Sequence, residues 1–304
     1  MSTKWAMLAW AGPGLLLVAA APAERTVEVN TLVPITVQGV PGRMRIDPGA
    51  PGHPLLTPEY AAKAGLKGGG MLGFDVIYHV GNQTIHGRTQ TAKFGLNGVF
   101  QNQRVIWTAR PYAAGIDAVI GPAGIPASII RFALHPALPS ERTIALPMAG
   151  GTGMFASWES LSGQIMVGGA PMRVRFDPNH PLTIANAGAA ERLARAFDGR
   201  LTGATGSAEI AFGIARPVRG MTLARPVTIG PLSLPALHVR VADGSIAAIP
   251  DANAPPPDPD EIVVTARRKH DPSNDRITLG ADTLARCSAI VFDKAARQVR
   301  LTCA

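Results

Sequence analysis

A mainly β protein made from two copies of one β-rich unit is what the sequence predicts, and three observations lead there. Glycine and proline number 33 and 27 among 304 residues without a Gly-X-Y period, so turns between short strands must be frequent. Hydrophobic residues make up 46% of the chain and charged ones 16%, which supplies a sizeable core and excludes disorder as the dominant state. Residues 35–49 (ITVQGVPGRMRIDPG) align without a gap on residues 165–179 (IMVGGAPMRVRFDPN), which marks an internal repeat.

Residues 1–23 read as a secretory signal. Lys4 gives the positive start, Leu15, Leu16, Leu17 and Val18 the apolar stretch, and Ala21-Pro22-Ala23 a small-residue cleavage site. The alternative, an uncleaved anchor, is opposed by Gly12, Pro13 and Gly14 inside the run. No later stretch is apolar for long enough to cross a bilayer as a helix, so the processed chain is expected not to span a membrane. Removing the signal takes one lysine and no acid from a formal net charge of +8, leaving a cationic protein. Apart from Arg267-Arg268-Lys269, its arginines are scattered singly without interleaved aromatics, a solubility pattern that does not single out nucleic acid as a partner.

The first unit, 24–150, opens with two strands delivering Asp47, followed by His53-Pro54-Leu55. A helix follows, capped by Thr57, opened by Pro58 and stopped by Gly65. The alternating run Val76-Ile77-Tyr78-His79-Val80 before Gly81-Asn82 reads as a hairpin. Phe94-Gly95-Leu96-Asn97-Gly98 turns into a strand ending at Trp107, and Ala118-Val119-Ile120-Gly121 precedes a strand over 129–134. Gly150, Gly151 and Gly153 mark the boundary. The second unit, 151–304, repeats this order. Asp177 is followed by His180-Pro181-Leu182, a helix over 187–197 stopped near Gly199, a turn at 228–232, Ile277-Thr278-Leu279-Gly280, and a strand over 289–292. A proline-rich insertion over 250–275 interrupts it.

Cys287 and Cys303 have no metal-ligand spacing around them. A hairpin folded about Ala295 sets them opposite one another, and in an oxidising compartment a disulfide there contributes about 3 kcal/mol. Two buried free thiols are the alternative.

A strand delivering Asp47-Pro48-Gly49-Ala50, a short helix ending Ala64-Gly65-Leu66, then Val119-Ile120-Gly121 before a buried strand resembles the retropepsin and pepsin-like aspartic peptidases. The second half is similar again, ending Leu279-Gly280-Ala281-Asp282-Thr283-Leu284, so the likeness spans nearly the whole mature chain. It implies an acid protease fold: two pseudo-symmetric retropepsin-like β-barrel lobes with one short helix each. It also implies a dyad, Asp47 and Asp177, sharing one proton at the floor of a cleft. One carboxylate activates water while the other donates to the peptide carbonyl, and no metal or organic cofactor is needed. Gly49, Asn179 and the flap candidate Tyr78 are the implied substrate contacts. Hairpins over 74–88 and 203–219 are the implied flaps. The expected function is to hydrolyse extended peptides or, in a catalytically degenerate form, only to bind them. The expected partner is a peptide or protein substrate. Both aspartates belong to one chain, so a monomer is expected, in the periplasm or secreted from a Gram-negative cell.

The sequence departs from that family's Asp-Thr/Ser-Gly at Pro48 and Pro178, which remove the bracing hydroxyls, and at Asn179, which replaces a glycine. Pro51 and Gly52 likewise stand where a hydroxyl usually hydrogen-bonds the first aspartate. The repeated pairs Asp47 with His53 and Asp177 with His180 have a chemistry acceptable to a divalent metal. A histidine before proline just after a turn more commonly lies at a loop rim. Within the insertion, Glu261-Ile262-Val263-Val264-Thr265-Ala266-Arg267-Arg268-Lys269 is similar to the TonB-box region of outer-membrane receptors. That likeness implies an envelope protein partner bound by strand addition; an ordinary surface strand is the alternative.

Overall fold

Strand and helix follow the hydrophobic pattern in a computed structural model, which describes residues 24–68, 73–151, 157–244, 246–252 and 271–304. The leader 1–23 lies outside the described residues, as do most of the 250–275 insertion and the Glu261 to Lys269 run. Strand β1 (Glu24–Glu28) precedes β2 (Leu32–Val37), β3 (Val40–Ile46), β4 (Leu55–Leu56), helix α1 (Pro58–Lys63), β5 (Asp75–Val80), β6 (Gln83–Leu96), β7 (Val99–Thr108) and β8 (Ala118–Ile120). Next come β9 (Ile129–Ala133), β10 (Arg142–Ala149), β11 (Ser162–Val167), β12 (Ala170–Phe176), β13 (Ile184–Ala185), α2 (Ala187–Phe197), β14 (Gly199–Ala211), β15 (Ile214–Ile229) and β16 (Leu232–Arg240). The chain closes with β17 (Arg276–Leu279), α3 (Ala281–Leu284), β18 (Cys287–Asp293) and β19 (Gln298–Cys303). The protein is mainly β, and six strands, β2-β3-β8-β4-β7-β6, close into a barrel because β6 pairs back onto β2.

The barrel order, extended by β5, is β2-β3-β8-β4-β7-β6-β5, and the second half runs β11-β12-β17-β13-β16-β15-β14. Parallel neighbours fall in matching places: β3 with β8 and β12 with β17, β4 with β7 and β13 with β16. Through the β10–β11 pairing the second-half sheet continues into strands from both halves, in which β9 pairs with β18, β18 with β19 and β19 with β10, making 12 strands in all. Phe132, Phe176 and Phe292 meet edge to face in its core, with ring centroids 5.8 and 6.0 Å apart.

Local chemistry explains the helix ends. Thr57 Oγ1 accepts the Tyr60 N–H at 3.1 Å and Asn186 Oδ1 the Ala189 N–H at 3.1 Å, each satisfying a first-turn donor. Helix α2 ends at Asp198, whose left-handed backbone (φ 53°) makes the stop one residue before Gly199. One expectation is corrected: the second half carries two helices, α2 and α3, where one was expected. In the first half the stretch matching α3 is Pro122–Gly124, a single 3-10 turn. Proline lacks the N–H and glycine the propensity to extend a helix, whereas Ala281-Asp282-Thr283-Leu284 carries neither residue.

Cys287 and Cys303 lie at disulfide distance and in register across the β18–β19 hairpin. Among the described residues, no helix is long and apolar enough to cross a membrane.

Candidate active site

Strand alternation sets up the site. On β3, Met44 and Ile46 point into the core, and on β12, Met172, Val174 and Phe176 do the same. Successive side chains alternate faces, so the Arg-x-Asp spacing places Arg45 with Asp47, and Arg175 with Asp177, on the face opposite the core. Both aspartate turns are built alike. The Asp47 N–H donates to Ile120 O and the Asp177 N–H to Leu279 O, each at 2.9 Å. Each Oδ1 accepts the N–H two residues on, from Gly49 at 2.8 Å and from Asn179 at 3.2 Å. Glycine is required at 121 and 280, since a Cβ there would collide with the carbonyls of Ala50 and Leu182 in the two turns.

Asp47 and Asp177 line one cleft, together with Arg45, Tyr112, Asn179 and His180, under residues 207–211 of the β14–β15 hairpin. The halves touch at the aspartates: Asn179 Nδ2 donates to Asp47 Oδ2 at 3.2 Å, and Arg45 pairs with the same oxygen at 3.1 Å. Asp47 is only 2% exposed. Burial raises its carboxyl above the ordinary aspartate range, and the charge of Asp177 raises it further; Arg45 and the Gly49 N–H oppose this without cancelling it.

The turn that contains Pro48 is braced from elsewhere in the chain. Arg175 crosses from the second repeat to donate to the Gly49 carbonyl and, at 3.0 Å, to the Tyr112 hydroxyl. Ser160 Oγ donates to the same carbonyl at 2.9 Å. A Cβ at Gly49 would stand 3.0 Å from both Arg175 Nε and Phe176 O, so this close cross-repeat packing leaves little room for a side chain. Burial pushes the Tyr112 hydroxyl well above the usual tyrosine range, keeping it neutral beside two carboxylates.

The residues expected to contact substrate separate. Asn179 lies in the cleft. Gly49 is buried, with its N–H and carbonyl both committed to the hydrogen bonds above. Tyr78 lies apart from the residues lining the cleft; its ring packs 5.4 Å from Phe212, which itself stands 5.2 Å from Tyr112. Tyr78 thus reaches the site through a relay of rings joining the two hairpins. Cys287 and Cys303 lie in the C-terminal hairpin as a pair apart from the cleft.

The two repeated histidines diverge. His53 packs edge-on to Trp158 at 4.6 Å, and its imidazole is lowered to about 4, chiefly by burial and then by the charge of Arg104. His180 instead bridges the second aspartate turn to the hairpin above it, its Nε2 standing 2.8 Å from Glu209 O and its Nδ1 2.7 Å from Leu182 O. Among the described residues, no group of three or more histidines, cysteines or carboxylates is placed to hold a metal ion.

Tyr112, Ser160 and the crossing of Arg175 were not expected. Arg175 had a signal, its repetition as Arg45 two residues before an aspartate. Tyr112 had only its loop position after Arg110-Pro111. Compared with protein-family models and with curated proteins, the chain matches none.

Proposed function

We propose that this chain is an exported aspartic peptidase-like hydrolase of extended peptides, with two acid protease lobes in one monomer and Asp47 and Asp177 as its dyad. The observation that supports this reading is that equivalent aspartates of two repeats line one cleft, joined by the Asn179–Asp47 hydrogen bond. The raised carboxyl of Asp47 makes it the partner that keeps the shared proton. Asp177 then draws a proton from a water that attacks the peptide carbonyl carbon, and Asp47 donates its proton to the carbonyl oxygen. Collapse of the tetrahedral species, with a proton returned to the leaving nitrogen, breaks the C–N bond. The β14–β15 hairpin, whose residues 207–211 line the cleft, would be the roof, with β5–β6 packed on it through Tyr78 and Phe212 and an extended peptide beneath.

A second reading, peptide binding without hydrolysis, is favoured by one feature: Asp47 Oδ2 already receives both Arg45 and Asn179. Digestion of a peptide library from acid to neutral pH separates the two. Cleavage lost in both Asp47→Asn and Asp177→Asn supports the hydrolase. Peptide capture without cleavage supports the binding module. Cleavage that persists in both variants overturns the dyad.

A further inference from the structure

The two sides of the cleft differ in chemistry although they occupy the same place in the repeat. In the first barrel Val119 pairs with Leu55, and Leu55 with Ile106. These side chains are buried against Val80 and Ile85 of the overlying hairpin, so that side is filled with hydrocarbon. The matching positions of the second half are Thr278, Ile184 and His238. Their neighbours there are Arg276, where the first half has Asp117, and Arg240, where it has Thr108. The result is a pocket beside Asp177 and His180 whose wall includes the arginines 175, 240 and 276.

Three arginines face a single carboxylate, Asp177, among the residues lining this pocket. Arg240 is held by Asp243, which also takes Arg216. Arg175 is committed to the Gly49 carbonyl and the Tyr112 hydroxyl. The guanidinium of Arg276 has neither a carboxylate nor a hydrogen-bond acceptor among the described residues. Its pKa is lowered to about 10, first by burial and then by the charges of Arg175, Arg240 and Arg173. A partly buried cation facing like charges favours an anion beside it. Guanidinium groups hold carboxylates in paired hydrogen bonds.

We propose that this pocket is a specificity site for a carboxylate of the bound peptide, set on the Asp177 side of the cleft, with Arg276 as its principal contact. The inference rests on the peptide reading given above. It makes acidic peptides the substrate class and leaves the opposite, hydrocarbon-filled side without a charge preference. Two sources carry the same chemistry, an acidic side chain within the peptide and a free C-terminus.

The test uses the mature chain and fluorescein-labelled decapeptide mixtures in which one position at a time is fixed as Glu, Gln or Lys. Each mixture is prepared with a free or an amidated C-terminus. Cleavage is mapped by mass spectrometry, and binding is measured by anisotropy on the Asp47→Asn protein. The expected result is at least a tenfold preference for Glu over Gln at one fixed position, or for free acid over amide. Arg276→Gln should reduce that preference to about threefold or less, Arg276→Lys should retain part of it, and Arg276→Asp should turn it toward Lys. Cleavage with equal use of Glu and Gln, and of acid and amide, overturns the pocket while leaving the hydrolase standing. Carboxylate-selective binding that depends on Arg276, without cleavage, upholds the pocket and removes the hydrolase. Absence of selective binding, or selectivity indifferent to all three Arg276 variants, overturns the pocket.

Discussion

Arg45 and Arg175 occupy the same position in the two repeats, yet both act on the aspartate turn of the first repeat. Arg45 stays with its own Asp47 at 3.1 Å, while Arg175 reaches over to the first repeat and meets the Tyr112 hydroxyl at 3.0 Å. A single duplicated residue therefore tempers one carboxylate and ties the two halves together.

Removing that tie should loosen the whole protein. Arg175→Ala strips a charged donor from the Gly49 carbonyl and the Tyr112 hydroxyl, at a cost of about 2–4 kcal/mol in urea unfolding. Arg175→Lys should recover less than half of this, because an ammonium lacks the fork that spans two acceptors. Wild-type stability in the alanine variant would show that the crossing is not a brace.

The roof should depend on His180, whose ring carries the Glu209 carbonyl. His180→Ala is expected to cost about 1 kcal/mol and to speed amide hydrogen exchange across residues 207–213, with little change in β18 and β19. Uniform exchange across the molecule would contradict a local tether.

Acid should weaken the protein through His53. Its folded value of about 4 lies below the free imidazole's 6.5, so the unfolded chain binds the proton more readily between them. Its contribution is complete above 6.5 and is lost as pH falls through about 4. Allowing for solvent screening of a half-buried ring, the loss is at most about 2 kcal/mol. His53→Leu, which keeps an apolar contact for Trp158, should flatten that limb of a stability profile measured by urea unfolding.

The C-terminal hairpin should weaken without its sulfur pair. Cys287→Ser with Cys303→Ser, or reduction of the wild type, is expected to lower unfolding free energy by about 3 kcal/mol, since the closed loop spans a sequence separation of 16 residues. Equal stability with and without reductant would exclude this contribution.

How far the sequence could be read depended on range. The Thr57 cap, the 187–197 helix and the Gly-containing turns are local, so they were legible to within a residue. The repeat carried the matching strand orders because Arg-x-Asp and the Gly121 and Gly280 elements recur with their strands. The links that build the site join residues 63 to 132 positions apart, from Arg175 to Tyr112 and from Asn179 to Asp47, and no periodicity encodes them. Tyr78 was in the expected hairpin but turned toward Phe212, a partner contributed by the other repeat. The loss of hydroxyls at Pro48 and Pro178 was visible, whereas the hold of Ser160 and Arg175 on the Gly49 carbonyl required the folded chain.

The central relationship is that the charge of Asp177 raises the carboxyl of Asp47. Carboxyl carbon NMR titration of Asp47 in the wild type and in Asp177→Asn measures it directly. Asp47 should titrate above the ordinary aspartate range in the wild type, and its midpoint should fall once the neighbouring charge is gone, because Asp177 is one of the two causes that raise it. An unchanged Asp47 midpoint in Asp177→Asn would mean that the two carboxylates do not form one site.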